Sequence, residues 1–175
     1  MLASHLARQI CNPWPSFSIE ALCAMTVVPS VAQSAPRVIR IAAALLLDPA
    51  GRTLLVRKRG TQAFMQAGGK IEPGEQPLAA LARELDEELG LRFESAAATY
   101  LGHFSAPAAN EPGYEVQAEV FSLRIAEAVT AAAEIEEILW VDPLLEHDLP
   151  MAALTREQIL PFYRQSLLRQ CADAS

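Results

Sequence analysis

The sequence predicts an α/β domain of the mixed α+β kind, a mixed sheet flanked by helices. Three observations carry this. Apolar runs of strand length recur between about residues 38 and 141, and the first two are joined by a tight turn. Two stretches with helical spacing, 76–89 and 155–169, fall among and after them without a strict strand–helix–strand rhythm. An apolar share of 51% against 20% charged residues, over 175 residues, excludes wholesale disorder and supplies a core without disulfides or structural metal.

Residues 1–36 stand apart. They hold two charged residues, Arg8 and Glu20, four prolines and no clear periodicity, so the whole net charge of −7 lies beyond them. Ala21 to Ala35 has a faint likeness to a secretory leader, but Arg8 is far upstream and Glu20 abuts the apolar run. The expectation is an irregular or weakly ordered arm at 1–36, with Met25 as an alternative start, a domain at 37–170 and a tail at 171–175. A chain starting near Ala35 is expected to stay soluble and active. Aggregation or lost turnover would show that Trp14, Phe17 or Ile19 covers an apolar patch.

Beyond Pro36 each element has a local reason. Val38 to Leu47 is nearly continuous in apolar residues, as a strand covered on both faces would be. Asp48-Pro49-Ala50-Gly51-Arg52 is a turn, and Thr53 to Arg59 returns as the second arm of a hairpin. Phe64 to Gln66 is a short extended piece before a glycine-rich loop. Gln76 to Leu89 is helical. Tyr100 to Ser105 and Tyr114 to Ile125 read as strands, the second by the alternation of Val116, Ala118, Val120, Phe121 and Leu123. Ile135 to Val141 is a further strand, stopped by Asp142-Pro143. Thr155 is the expected N-cap of a last helix that reaches about Arg169, with Ile159, Phe162, Tyr163 and Leu167 on one face as core or dimer contact.

The acidic balance excludes a protein that grips nucleic acid through its phosphates, which needs a basic footprint. Small anionic substrates stay open, since a bound divalent cation inverts the local sign. Cys11, Cys23 and Cys171 are odd in number and lack metal-site spacing, which fits reduced thiols and a cytoplasmic setting. No apolar run approaches the roughly 20 residues that span a bilayer, so no membrane partner is expected.

The chemistry sits between Gly68 and Leu91. On a helical wheel Glu84, Glu87 and Glu88 share one face, beside a stripe of Leu78, Leu81, Ala82, Leu85 and Leu89. Three clustered acids repel, by a few tenths of a kcal/mol for each i,i+4 pair, unless something compensates. A bare cluster of this kind also suits a solvated face. Hard divalent cations take such oxygen ligands, and Mg²⁺ in particular combines carboxylates with substrate phosphate.

The spacing around the acids decides between these. Gly69, Glu75, Arg83, Glu84, Leu85, Glu87, Glu88, Gly90 and Leu91 fill the pattern G-x5-E-x7-R-E-U-x-E-E-x-G-U at every specified position. A chance match in a chain of this length is on the order of 10⁻⁷. The segment resembles the signature of the Nudix hydrolase superfamily. That resemblance implies an α/β/α sandwich with a mixed sheet and a loop–helix–loop motif. It implies hydrolysis of a pyrophosphate bond in a nucleoside diphosphate derivative with Mg²⁺ (or Mn²⁺). It makes Glu84, Glu87, Glu88 and the Gly68 carbonyl the metal ligands. Arg83 becomes the residue that orients the catalytic acids, and Glu75 a support for loop and helix. The proton acceptor is either an acid of the motif helix or one from a distant loop. Glu111, Glu115, Glu119, Glu134, Glu136 and Glu137 are candidates for that base or an extra ligand. Ala67 stands where the family often has Pro, which leaves the loop less pre-set in the unfolded chain.

A small-molecule nucleotide is the implied partner, with the chain a monomer or homodimer. A (deoxy)nucleoside triphosphate, oxidised forms included, is the expected substrate. ADP-ribose or a nucleoside diphosphate sugar is the alternative, and a non-catalytic nucleotide-binding module is the alternative of another class. Pro107 lies close to, but not at, the spacing associated with ADP-ribose pyrophosphatases. Phe64, His103, Phe104, Tyr114, Phe121 and Trp140 could stack on a base, with Trp140 better suited to the core. Arg40, Arg57, Lys58 and Arg59 could meet phosphates from strand ends.

Overall fold

The computed structural model describes residues 37–173. The expectations for the arm at 1–36, Cys11, Cys23 and Met25 included, lie outside the described residues.

Seven strands form one mixed sheet: β1 (Arg37–Leu47), β2 (Thr53–Lys58), β3 (Phe64–Met65), β4 (Ala67–Lys70), β5 (Thr99–Pro107), β6 (Tyr114–Arg124) and β7 (Ile135–Val141). Its two helices are α1 (Pro77–Leu89) and α2 (Leu160–Asp173), the latter entered through a π-helical turn, Leu154–Ile159. β1 is the spine. It runs parallel to β6 from Arg37↔Tyr114 to Leu47↔Arg124, and antiparallel to β4 from Ile41↔Lys70 to Ala44↔Ala67.

The apolar continuity of β1 has the cause expected of it, a cover on each face. Ala42, Ala44 and Leu46 point to α1, where Ala80, Leu81, Leu85 and Leu89 close the layer. Leu45 and Leu47 point the other way and pack with Leu154, Ile159 and Tyr163. This is the α/β/α sandwich. Trp140 packs against the first layer and Ile159 and Tyr163 are buried in the second, whereas Phe162 is exposed.

Three local readings change. The β1–β2 hairpin closes only at Leu47↔Thr53. Beyond that pair β2 turns to β3 and β7 while β4 takes the vacated edge of β1, so the glycine-rich stretch Ala67–Lys70 is a strand and not a loop. Thr155 is not an N-cap: it is fully buried inside the π-helical turn and its hydroxyl donates to Gln66 Oε1 at 2.7 Å. The last helix continues to Asp173, past the boundary expected for a tail.

Helix α1 starts and stops on sequence. Pro77 occupies its first turn, where a missing N–H costs nothing. Gly90 ends it at φ 64°, ψ 18°, a left-handed conformation that favours glycine. The Gly90 and Leu91 N–H groups then donate to the Asp86 and Leu85 carbonyls, each at 3.0 Å.

Candidate active site

The site lies where β4 crosses the solvent edge of α1, beside the end of β2. Glycines line that crossing because neither position has room for a side chain: one on Gly68 would strike the Ala42 carbonyl of β1 at 2.2 Å, and a carboxylate presses on Gly69. A methyl group added to Gly69 would meet Glu84 Cδ at 2.3 Å. The Gly68 N–H donates to Glu88 Oε2 at 2.9 Å. The motif glycines and the motif acids are thus one packing unit, twenty residues apart in sequence for Gly68 and Glu88.

Arg83 ties this unit together. Its Nε donates to Glu75 Oε1 and its Nη2 to Glu75 Oε2, both at 3.1 Å, a two-pronged fork. Its Nη1 donates to Glu84 Oε1 at 2.7 Å and lies 3.7 Å from Glu87 Oε2. Nη2 also reaches the Lys70 carbonyl at 3.0 Å. Glu75 in turn accepts the Glu72 N–H at 2.9 Å, which closes the loop before α1. The Arg83 hydrogen bond and the Glu72 N–H hold the Glu75 carboxyl below its usual range. Its hydrogen bonds to Glu75 and Glu84 hold the Arg83 proton still more firmly than usual.

The three helix acids have different surroundings. Glu84 is mostly covered, with 13% of its side chain exposed, whereas Glu87 has 56% exposed. Glu88 is 1% exposed. The wheel placed the acids beside the core, and for Glu88 that is too far out: it sits within the core layer. Its company there is Lys58, whose Nζ lies 3.0 Å from Glu88 Oε1 and also pairs with Glu134. Burial pushes the Glu88 carboxyl up, opposed by the Lys58 charge and the Gly68 N–H. Burial alone would lower Lys58, but Glu88 and Glu134 more than offset it and its proton is held.

Beside the acids opens a cleft of about 450 Å³. Gly68, Gly69, Glu84 and Lys58 form its charged rim. Ile39, Ile41 and Val116 from the sheet, Met65 and Leu154 form apolar walls, with Gln66 and Thr155 at the polar floor. Of the six distant acids weighed above, Glu111 and Glu134 line it. Glu136 and Glu137 instead pair with Arg57 at 2.8 and 2.9 Å. Glu115 accepts from Gln117, and Glu119 is bound to Tyr100 and His103. None of the six aromatic candidates lines the cleft. Phe64 is core, Phe104 packs edge-on against Phe162, Phe121 packs against Tyr100, and Tyr114 meets Arg37. Of the four basic candidates, only Lys58 reaches it.

The oxygen donors around Gly68 suit a hard divalent cation. Glu88 Oε1, although near Lys58, has no hydrogen-bond partner. Among the described residues no three His, Cys, Asp or Glu side chains converge as a ready-made cluster. The carboxylates are drawn to Arg83 and Lys58 instead. Among the described residues no helix is long and apolar enough to cross a membrane.

The NUDIX domain family model matches residues 37–162, the span of the sandwich and its motif. The chain belongs to the Nudix hydrolase superfamily. A MutT protein from Methanosarcina mazei Go1 has the same fold. The match covers 76% of this chain and 98% of that one, with a TM-score of 0.63 at 23% identity. An octanoyltransferase of Myxococcus xanthus is 32% identical over 162 residues, covering 86% of this chain and 45% of the relative. An 8-oxo-dGTP diphosphatase of Haemophilus influenzae is 37% identical over 59 residues, covering 31% of this chain and 43% of the relative. The chain thus spans less than half the length of these two curated relatives. Nudix hydrolases are generally dependent on divalent metal, in keeping with the oxygen-rich rim.

Two substitutions probe this Nudix rim. Gly69→Ala is expected to lower kcat at least tenfold with little change in Tm. The added methyl can be relieved by swinging the flexible Glu84 side chain aside, which spares the fold and misplaces the acid. Unchanged kcat would mean that the position of Glu84 is unimportant. Arg83→Lys is likewise expected to lose at least tenfold in kcat, with Tm within about 3 °C. A single ammonium cannot hold Glu75 in a fork and Glu84 together. Retained activity and metal affinity would remove the orienting role.

Proposed function

We propose that this Nudix chain hydrolyses a nucleoside triphosphate, deoxy and oxidised forms included, to the monophosphate and pyrophosphate. The observation that carries the reading is the join of two unlike surfaces in one cleft. A rim of carboxylate, glycine backbone and Lys58 suits the phosphates, and an apolar chamber with a small polar floor suits a base. The 8-oxo-dGTP diphosphatase named above supports the choice of substrate class. The octanoyltransferase name belongs to a relative more than half of which has no counterpart here, and acids packed on glycines point to phosphate rather than acyl chemistry.

Glu84, Glu87, Glu88 and the Gly68 carbonyl would hold Mg²⁺ or Mn²⁺. A bound cation would supply neutralisation of the diphosphate and a lower pKa for the attacking water. Arg83 keeps Glu84 aimed at the rim, and Glu75 keeps Arg83 in place. Lys58 keeps Glu88 and Glu134 together at the rim. Glu84, Glu111 and Glu134 line the cleft and are the candidates to take the proton from water. Water adds to phosphorus, and the phosphorus–oxygen bond to pyrophosphate breaks.

The test is a panel of triphosphates, 8-oxo-dGTP, ADP-ribose and nucleoside diphosphate sugars, with products separated by chromatography. Monophosphate and pyrophosphate from a triphosphate are expected. Faster cleavage of ADP-ribose or a sugar nucleotide would replace the substrate class. Turnover of none would favour a binding module.

A further inference from the structure

The floor of the cleft holds a polar pair that the hydrolytic rim does not use. Gln66 is 5% exposed and Thr155 is fully buried. The Thr155 hydroxyl donates to Gln66 Oε1 at 2.7 Å, with the amide nitrogen on the other side. Gln66 Nε2 then carries its two N–H donors without a hydrogen-bond partner. Buried amides in folded proteins find partners, and an orphan calls for an explanation. This one lines the cleft together with the apolar Ile41, Val116 and Leu154.

The backbone is shaped to present the pair. Thr155 lies in the π-helical turn Leu154–Ile159, where the Leu160 N–H bonds back to the Thr155 carbonyl. Such turns are uncommon and tend to mark functional positions. An ordinary α-helical start with Thr155 as cap would have directed its hydroxyl to the helix's own N–H groups. Here the hydroxyl is directed across to Gln66, 89 residues earlier in the chain.

We propose that Gln66 is the specificity residue of the cleft, donating its free amide to a ring carbonyl of the substrate's base. Thr155 is the positioning residue that keeps the amide nitrogen, and not its oxygen, toward the base. The inference rests on the reading that the cleft takes a nucleotide. A site built to donate a hydrogen bond accepts a 6-oxo purine and rejects a 6-amino purine, which would set N–H against N–H. The amide nitrogen is covered, so reaching it includes a small shift of the wall, for which the unbranched Met65 in the lining is suited.

The cleanest probe is the inosine–adenosine pair, which differs at the purine 6-position. Wild-type chain is expected to hydrolyse dITP with kcat/KM at least tenfold above that for dATP, and to bind IMP tighter than AMP by calorimetry. Gln66→Met keeps the length of the side chain and should bring both ratios within about threefold of unity, through KM more than kcat. Thr155→Val leaves Gln66 in place but frees its amide to turn, and should shrink the preference through KM more than kcat. Equal handling of both purines by the wild type, a preference for the amino purine, or an oxo preference that survives Gln66→Met overturns the assignment of Gln66 and leaves the nucleotide reading standing. Failure to bind or hydrolyse either purine overturns the nucleotide reading and this inference with it.

Discussion

In excess EDTA, turnover of every nucleotide is expected to fall below detection, and millimolar Mg²⁺ or Mn²⁺ to restore it. The expectation follows from the sign of the charges at the rim. Glu84, Glu87 and Glu88 crowd one edge of α1, and a triphosphate brings several more negative charges to the same place. Arg83 and Lys58 are already committed, and Lys70 at the cleft wall brings one charge against several. Arg83 spends its donors on Glu75, Glu84 and the Lys70 carbonyl, and Lys58 is shared between Glu88 and Glu134. Neither can leave its acids for the phosphates without exposing those acids to repulsion from the substrate. A divalent cation resolves both conflicts at once. Binding has its own readout: Mn²⁺ titrated into the chain should lose its free-ion resonance signal, and Glu84→Gln should weaken that loss. Full turnover in EDTA would show that the lysines and Arg83 suffice and would end the metal reading.

The motif made the rim legible in the sequence, because its spacings are consequences of one local geometry. Gly90 stops α1 in a left-handed turn, Gly69 admits Glu84, and Arg83 folds back onto Glu75. Strand and helix positions were legible for a similar reason, since β1 is covered on both faces and β6 alternates up to Val120 before both its faces become apolar. What periodicity could not carry is pairing. Nothing in the turn after β1 says that the hairpin opens after one pair to let β4 in. The lining of the cleft was therefore not legible in the sequence: its walls are aliphatic, and none of the aromatic residues weighed as possible base-stackers lines it. Gln66 and Thr155 gave no signal either. A threonine ahead of Glu157 and Gln158 has the local look of a cap, and only the long-range bond to Gln66 gives it another task. Lys58 was weighed as one of four phosphate-binding bases. Its partnership with Glu88 joins the end of β2 to α1, a long-range contact which no local pattern records.

Glu88→Gln and Glu87→Gln are each expected to lower kcat by at least 10²-fold while Tm hardly moves, and alanine at the same two positions separates them. Glutamine keeps the shape of the side chain and still offers an oxygen to the Gly68 N–H. Burial already pushes the Glu88 carboxyl toward its neutral form, so a neutral isostere relieves desolvation about as it weakens the pairing with Lys58. Lys58 also retains Glu134. What glutamine cannot do is hold a cation as a carboxylate does, so the loss falls on kcat. Alanine behaves differently at the two sites. Glu87 is exposed, and its truncation should leave Tm unchanged. Glu88 is 1% exposed among the core side chains of α1, so its truncation leaves a cavity and an unpaired Gly68 N–H. Together these cost about 2–3 kcal/mol, or roughly 4–12 °C in Tm. Thermal melts and steady-state kinetics on the four variants decide the matter. Wild-type kcat in both glutamine variants would refute the carboxylate chemistry. Equal Tm for the two alanine variants would mean that Glu88 does not belong to the core layer in which the structure places it.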